Sequence, residues 1–353
     1  MKKLLKWYKI TPLLAIIAYA MGLYQINLLG QIIVIGLLVG SILSAVLHSE
    51  LIAHKVGEPF GTIILAVSVT VIEVALIVSL MLAGGEKSAY LARDTVFAAV
   101  MILLTLIIGL CITIGSIKHF EQFFGKKSVN TALVSLITIL VLSMVLPNYV
   151  GNPGEGKFSN PQLIFVAIIC FIIYGTFIYV QTIRHRNYFV PDQPAQQHSH
   201  EPNFPIYVNI GFLVASLAIV VLLAKTISPS IEKIIVDAGL PQSLLGIIIA
   251  SVILLPEAIA AIKAAKNDDV QTSLNLALGS SLAAIGLTIP TVAFVSIFFG
   301  IDIVLGLDSI TMLLLGLSIF TVMLSLSKGR TNIIYGVILI ALFMTFIFTI
   351  LFP

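Results

Sequence analysis

VSVTVIEVALIVSL, residues 67–80, sets a glutamate in the middle of an otherwise uncharged apolar run. Glu73 is far along the chain from the next charge in either direction. An ionised carboxylate at the centre of a bilayer is unfavourable by roughly 2.5–3.5 kcal/mol on insertion scales. A segment that only had to span would carry leucine there. The run is therefore either a buried helix of a water-soluble core or a membrane helix whose carboxylate has a task.

Composition decides between the two. The chain is 59% hydrophobic and 10% charged, with a mean hydropathy of +1.12. Soluble domains carry about 25% charged residues. Apolar stretches of about 20 residues recur along the chain, each long enough to cross the hydrocarbon core. In lipid only helices or closed barrels satisfy the backbone, and barrel strands alternate over about ten residues. These continuous runs read as an all-α polytopic membrane protein that contacts the lipid bilayer.

The expected spans are 10–25, 27–47, 60–83, 95–116, 129–146, 161–181, 206–227, 240–262, 271–298, 308–326 and 332–352. Basic residues test their direction. With the N-terminus in the cytoplasm, fourteen Lys and Arg fall on the inside, from Lys2, Lys3, Lys6 and Lys9 to Lys328 and Arg330. Five remain outside: Lys87, Arg93, Lys157, Lys225 and Lys233. The first run has no small-residue cleavage pattern behind it and reads as a first helix. RHRNYFVPDQPAQQHSHEPNFP, residues 184–205, is the longest polar stretch and reads as a linker between halves.

Other chemistries are poorly served. The net charge of +3 is spread over short loops, which gives no nucleic-acid surface. Cys111 and Cys170 lie inside apolar spans, with no disulfide or zinc spacing. HSELIAH, residues 48–54, lacks the order of a zinc protease helix. No glycine motif for phosphate is present, so neither an enzyme nor an ATP-driven pump is expected.

A second intramembrane acid, Glu257, lies in LLGIIIASVILLPEAIAAI, residues 244–262. When 63–77 is compared with 246–260, aligning Glu73 on Glu257 also superposes Ala66 on Ala250. The segments that follow each begin with a charge and then Thr95 or Thr272, and each ends in a glycine, Gly109 or Gly286. With eleven spans the two acid-bearing helices run in opposite directions. The expected organisation is an extra N-terminal helix (1–26), a five-helix repeat (27–183), a cytoplasmic linker (184–205) and an inverted five-helix repeat (206–353). Inverted repeats place a transport site near the midplane, on interrupted helices.

Two carboxylates facing one another in a low dielectric cannot both stay charged and unpaired; either a proton is held or a cation neutralises them. Calcium takes six to eight oxygens from carboxylates, carbonyls and water. Proton and Ca²⁺ then compete for the same oxygens, which is the chemistry of antiport. Thr70 lies one turn before Glu73 on the same face. Ser68, Ser251, Asn275, Ser280 and Ser281 add polar groups at apolar depth. Pro256 frees the carbonyl of Val252, as a ligand or as a kink. His48, His54 and Glu50, with Glu58 beyond them, form an interfacial cluster or a vestibule feeding ions inward. The histidines of the linker, His185, His198 and His200, read as a solvated loop.

HSELIAHKVGEPFGTIILAVSVTVIE and LLPEAIAAIKAAKNDDVQTSLNLALGSSLAAIGLTIP resemble the two signatures of the calcium/proton exchanger branch of the cation/calcium exchanger superfamily, in its bacterial ChaA-type form. The resemblance implies a ten-helix inverted-repeat core with an extra first helix. It implies that Glu73 and Glu257 carry both the cation and the proton, with the carbonyls of Val69 and Ile253 as further ligands. The chain departs from the pattern where the family has Gly-Asn, reading Val69-Thr70 and Ile253-Leu254, and Ala258 stands in place of a histidine.

The resulting expectation is a secondary transporter of a bacterial plasma membrane that exports cytoplasmic Ca²⁺ against inward proton flow by alternating access. It needs no cofactor, since Ca²⁺ is its substrate. Exchange of Na⁺ or K⁺ for protons at the same site and a passive cation channel are the alternatives. A homo-oligomer is left open.

Overall fold

The computed structural model describes residues 7–25, 28–57, 60–84, 89–150, 154–189, 205–241 and 243–352. Their helices are α1 (Trp7–Ala20), α2 (Leu28–Val56) and α3 (Phe60–Gly84), then α4 (Leu91–His119), α5 (Lys126–Asn148) and α6 (Asn160–Arg184). The second half has α7 (Ile206–Asp237), α8 (Ser243–Ile253), α9 (Leu255–Lys266), α10 (Val270–Phe299), α11 (Ser309–Leu326) and α12 (Ile333–Leu351). Each expected span lies largely on helix among the described residues. Among the described residues, eight helices are long and apolar enough to cross a membrane, or nine if α8 and α9 form one bent span. α1 and the stretch Val67–Leu82 of α3 are shorter apolar helices. The protein is thus all-α and polytopic, and the number eleven holds only if those two also cross.

The helix ends follow local chemistry. Asp269 caps α10 by accepting from the Thr272 N–H at 3.0 Å, and Asp308 caps α11 through the Thr311 N–H at 3.2 Å. Ser159 and Gln162 form a reciprocal capping box at α6. Part of the 184–205 linker, with His198 and His200, lies outside the described residues.

The chain condenses into two units, and each takes a stretch from both halves of the sequence: residues 1–84 with 197–245, and residues 85–196 with 246–353. In the first unit α2 lies along α7, and α1 and α3 pack on both. Val34, Ile42 and Ala45 of α2 and Val220 and Leu223 of α7 fill its interior. Ser41, Ser44 and His48 are buried at one-turn spacings on α2, and Asn209 and Ser216, two turns apart, are buried on α7.

In the second unit the closest pairs are α4 with α12 and α10 with α6. Glycine makes both approaches possible. A Cβ on Gly109 would lie 3.0 Å from the Gly336 carbonyl oxygen, and one on Gly286 would lie 2.8 Å from Tyr174 Cβ. These are the two glycines that the internal alignment superposes. An extended segment, 301–308, crosses the end of this unit with Val304, Leu305 and Leu307 buried. Buried backbone outside a helix needs partners, and it has them. Val304 N–H donates to Ala89 O at 3.0 Å, Gly306 N–H to Gly156 O at 2.9 Å and Leu307 N–H to Met144 O at 3.0 Å. The Asn148 amide adds a bond to Leu307 O at 2.7 Å.

Candidate functional site

α3 runs unbroken from Phe60 to Gly84, with Glu73 near its middle. Its apolar content does not say which side faces inward, but burial does. Val67 and Val71 are 40% and 44% exposed, whereas Thr70 and Glu73 are each 3% exposed. Ser68 and Val69 are buried beside them. Glu73 therefore projects from the buried face of the helix, one turn after Thr70 and away from the exposed stripe.

Glu257 sits in a different local structure. α8 and α9 belong to one apolar segment, broken at Leu254 and bent by 55°. Pro256, in the first turn of α9, supplies the cause: it has no N–H for the Val252 carbonyl, and its ring excludes a straight helix. The break is local, because Leu254 N–H still reaches Ala250 O and Ala258 N–H reaches Leu254 O, each at 2.9 Å. Glu257 occupies the first turn of α9, half-buried, with its Oε2 closed off from solvent. The positive end of the α9 dipole favours a carboxylate there, and the carbonyl end of α8 favours a cation. The carbonyls of Val252 and of the buried Ile253 both lie at that end. Ser251, by contrast, is exposed.

The remaining candidates are spread more widely. Ser280 is half-buried on α10, and Ser281 is buried with its hydroxyl donating to Ala277 O at 2.8 Å. The polar atoms of Asn275 are engaged elsewhere in the second unit. Its Nδ2 donates to Phe189 O at 2.7 Å, and its Oδ1 accepts from Gln271 Nε2 at 2.9 Å. Gln271 also donates to Ser128 Oγ at 2.9 Å and accepts from the Gly125 N–H. Sequence reading missed Gln271 and Ser128; a buried glutamine two residues inside an aspartate cap was the available signal. Asn275→Ala orphans the Phe189 carbonyl and removes one of the two bonds of the Gln271 amide, so thermal stability should fall by about 1–3 kcal/mol, read from unfolding with cation exchange retained. Reduced cation affinity at unchanged stability would instead place Asn275 among the ligands.

Of the expected vestibule, Glu50 is exposed on α2, but His48 is fully buried. Glu58 lies outside the described residues.

A buried acid on a continuous helix and a second acid at a proline-broken helix are what an exchanger fold built on repeats would present. Residues 26–183 and 208–352 match the model of the sodium/calcium exchanger protein family, and the chain belongs to that family. Among its relatives is y4hA of Sinorhizobium fredii, whose name provisionally makes it an ionic transporter; it is 42% identical over 97% of this chain and 95% of its own. The sodium-potassium/proton antiporter ChaA of Escherichia coli is 32% identical, over 92% of this chain and 88% of its own. The crystal structure of the H⁺/Ca²⁺ exchanger CAX superposes with a TM-score of 0.75 at 17% identity, covering 100% of this chain and 88% of that one.

Proposed function

We propose that the protein is a secondary active cation/proton antiporter that exports Ca²⁺ from the cytoplasm of a bacterium against inward proton flow, by alternating access. Glu73 and Glu257 carry the cation and the proton in turn. The observation that carries this reading is the burial of Glu73 in the middle of an unbroken apolar helix. A membrane protein retains such a group for ion or proton movement. The half-buried Glu257 at the Pro256 break supports it, since transporter sites are built on interrupted helices; of the two acid-bearing helices the second is the interrupted one. The pairing of α4 with α12 and of α10 with α6, each through a glycine of the internal alignment, supports an inverted-repeat organisation.

A competing reading is exchange of Na⁺ or K⁺ for protons at the same residues. Two observations favour it. Asn275, the expected amide ligand, is hydrogen-bonded to Gln271 and Phe189, which leaves fewer oxygens for a divalent ion. The relative ChaA of Escherichia coli is named for sodium and potassium. Everted vesicles holding the protein, with an imposed pH gradient, decide the matter. Addition of Ca²⁺ should release lumenal protons at lower concentration than addition of Na⁺ or K⁺. Proton release by Na⁺ or K⁺ alone would assign the second reading, and no proton movement with any cation would exclude antiport.

A further inference from the structure

Where α1, α2 and α7 meet in the first unit, the structure buries a histidine that the exchange reading does not use. His48 is fully buried, as is Asn209, and Tyr8 is 5% exposed. The imidazole stacks on Phe212, with ring centroids 5.1 Å apart and planes 8° apart. It meets Tyr8 edge-on at 5.1 Å. Its Nδ1 lies 3.1 Å from Asn209 Oδ1. An amide oxygen only accepts, so Nδ1 carries the hydrogen and Nε2 presents a lone pair in the neutral ring. That Nε2 is buried with no hydrogen-bond partner, and so are the Tyr8 hydroxyl and Asn209 Nδ2. Beside them Ser44 donates to the Tyr8 carbonyl and lies 3.3 Å from Ser216 Oγ.

A purely structural polar cluster satisfies its own members. This one leaves a polar atom unsatisfied on each of three helices, and one of the three is the basic ring nitrogen. Among the described residues, the charged and titratable groups carried by the elements packed here are few. α1 contributes Tyr8 and Lys9, whose ammonium lies 5.5 Å from the Phe212 ring centroid. α7 contributes Asn209 and Phe212 to the contact and carries Tyr207. α3 carries Glu73, the turn before α2 carries Tyr24, and α2 itself carries Glu50, His54 and Lys55.

We propose that His48 is a proton-binding site that latches α1 onto α2 and α7. The neutral ring keeps the seam dry and closed. An imidazolium in that apolar seam, with the Lys9 ammonium nearby, is unfavourable unless water reaches it. Proton uptake therefore selects a state in which the seam is hydrated and α1 is loosened. α1 precedes the residues matched by the family model, whereas His48, Asn209 and Phe212 lie within them. The proposal does not depend on which ion is exchanged, or on exchange at all.

Trp7 makes this testable without transport. It is the single tryptophan of the chain, and its ring lies edge-on to Tyr8 at 6.4 Å. The full chain in lipid nanodiscs is titrated from alkaline to acid while tryptophan emission is followed. A sigmoidal red shift is expected in the wild type. His48→Gln should flatten it, and His119→Gln, on α4, should leave it in place. Asn209→Asp puts a carboxylate beside Nδ1 and should move the midpoint up by about one pH unit or more. The proposal is overturned if the wild type shows no transition, if His48→Gln shows the same transition, or if Asn209→Asp leaves the midpoint unmoved. Circular dichroism tells whether His48→Gln folds; if it does not, the Asn209→Asp midpoint decides alone.

Discussion

Glu73→Gln should reduce cation/proton exchange in everted vesicles to background, a loss of at least ~100-fold, while the protein still folds and melts normally. The magnitude follows from metal sites, where changing even an outer partner of a ligand costs about 10–100-fold. Glutamine keeps the length and the amide-sized volume of the side chain. It fits the buried face of α3, where Glu73 is 3% exposed, and it removes a desolvated acid, so stability should not suffer. It can neither take up a proton nor supply a full negative charge. Glu257→Gln should give the same loss for the same reason, with the bend at Leu254 intact because Pro256 causes it. If either variant still exchanges ions at near wild-type rate with preserved folding, that glutamate is not a carrier.

The second large effect concerns assembly. Gly109→Leu should cripple folding of the second unit, because its Cβ would stand 3.0 Å from the Gly336 carbonyl oxygen and from Ile340 Cγ1. Backbone cannot swing aside as a flexible side chain can, so α4 and α12 must separate. Overpacking of this kind costs about 1–3 kcal/mol or more, and a leucine adds three further carbons. We expect a lowered melting temperature or failure to purify as a single species. Gly175→Leu on α6 is the matched control, since a Cβ there meets nothing within 4 Å. Equal loss in both variants would show that helix propensity or lipid exposure, and not the close approach, governs the outcome.

The fold class and the positions of the helices were legible because the bilayer imposes a single strong rule, about twenty apolar residues per crossing. Both acids were legible for the complementary reason: a charge in such a segment has no cheap explanation. What burial added was orientation. In VSVTVIEVALIVSL the sequence sets Thr70 and Glu73 on one side, but burial is what shows that this side faces inward and that Val67 and Val71 face out. The break at Pro256 was anticipated only as one of two outcomes. Proline inside a membrane segment can kink it or be absorbed, as Pro229 within α7 and Pro290 within α10 are. The engagement of Asn275 was not readable at all. Its partner Phe189 lies far off in sequence, as does Ser128, which holds the Gln271 amide that donates to it, and only tertiary packing brings them together. The burial of His48 escaped for a similar reason, because a histidine near the end of a span reads as interfacial until α1 and α7 close over it.

The interleaving of the two units has a consequence for biogenesis. During synthesis, α1, α2 and α3 emerge long before α7, yet α7 completes their unit. Until then Ser41, Ser44 and His48 have no α7 to cover them and must be sheltered by lipid headgroups, water or an insertion factor. Residues 85–196 wait in the same way for 246–353. A chain severed in the 184–205 segment would leave each fragment with parts of both units and neither one whole, so the fragments would have to be made together in one cell to mature.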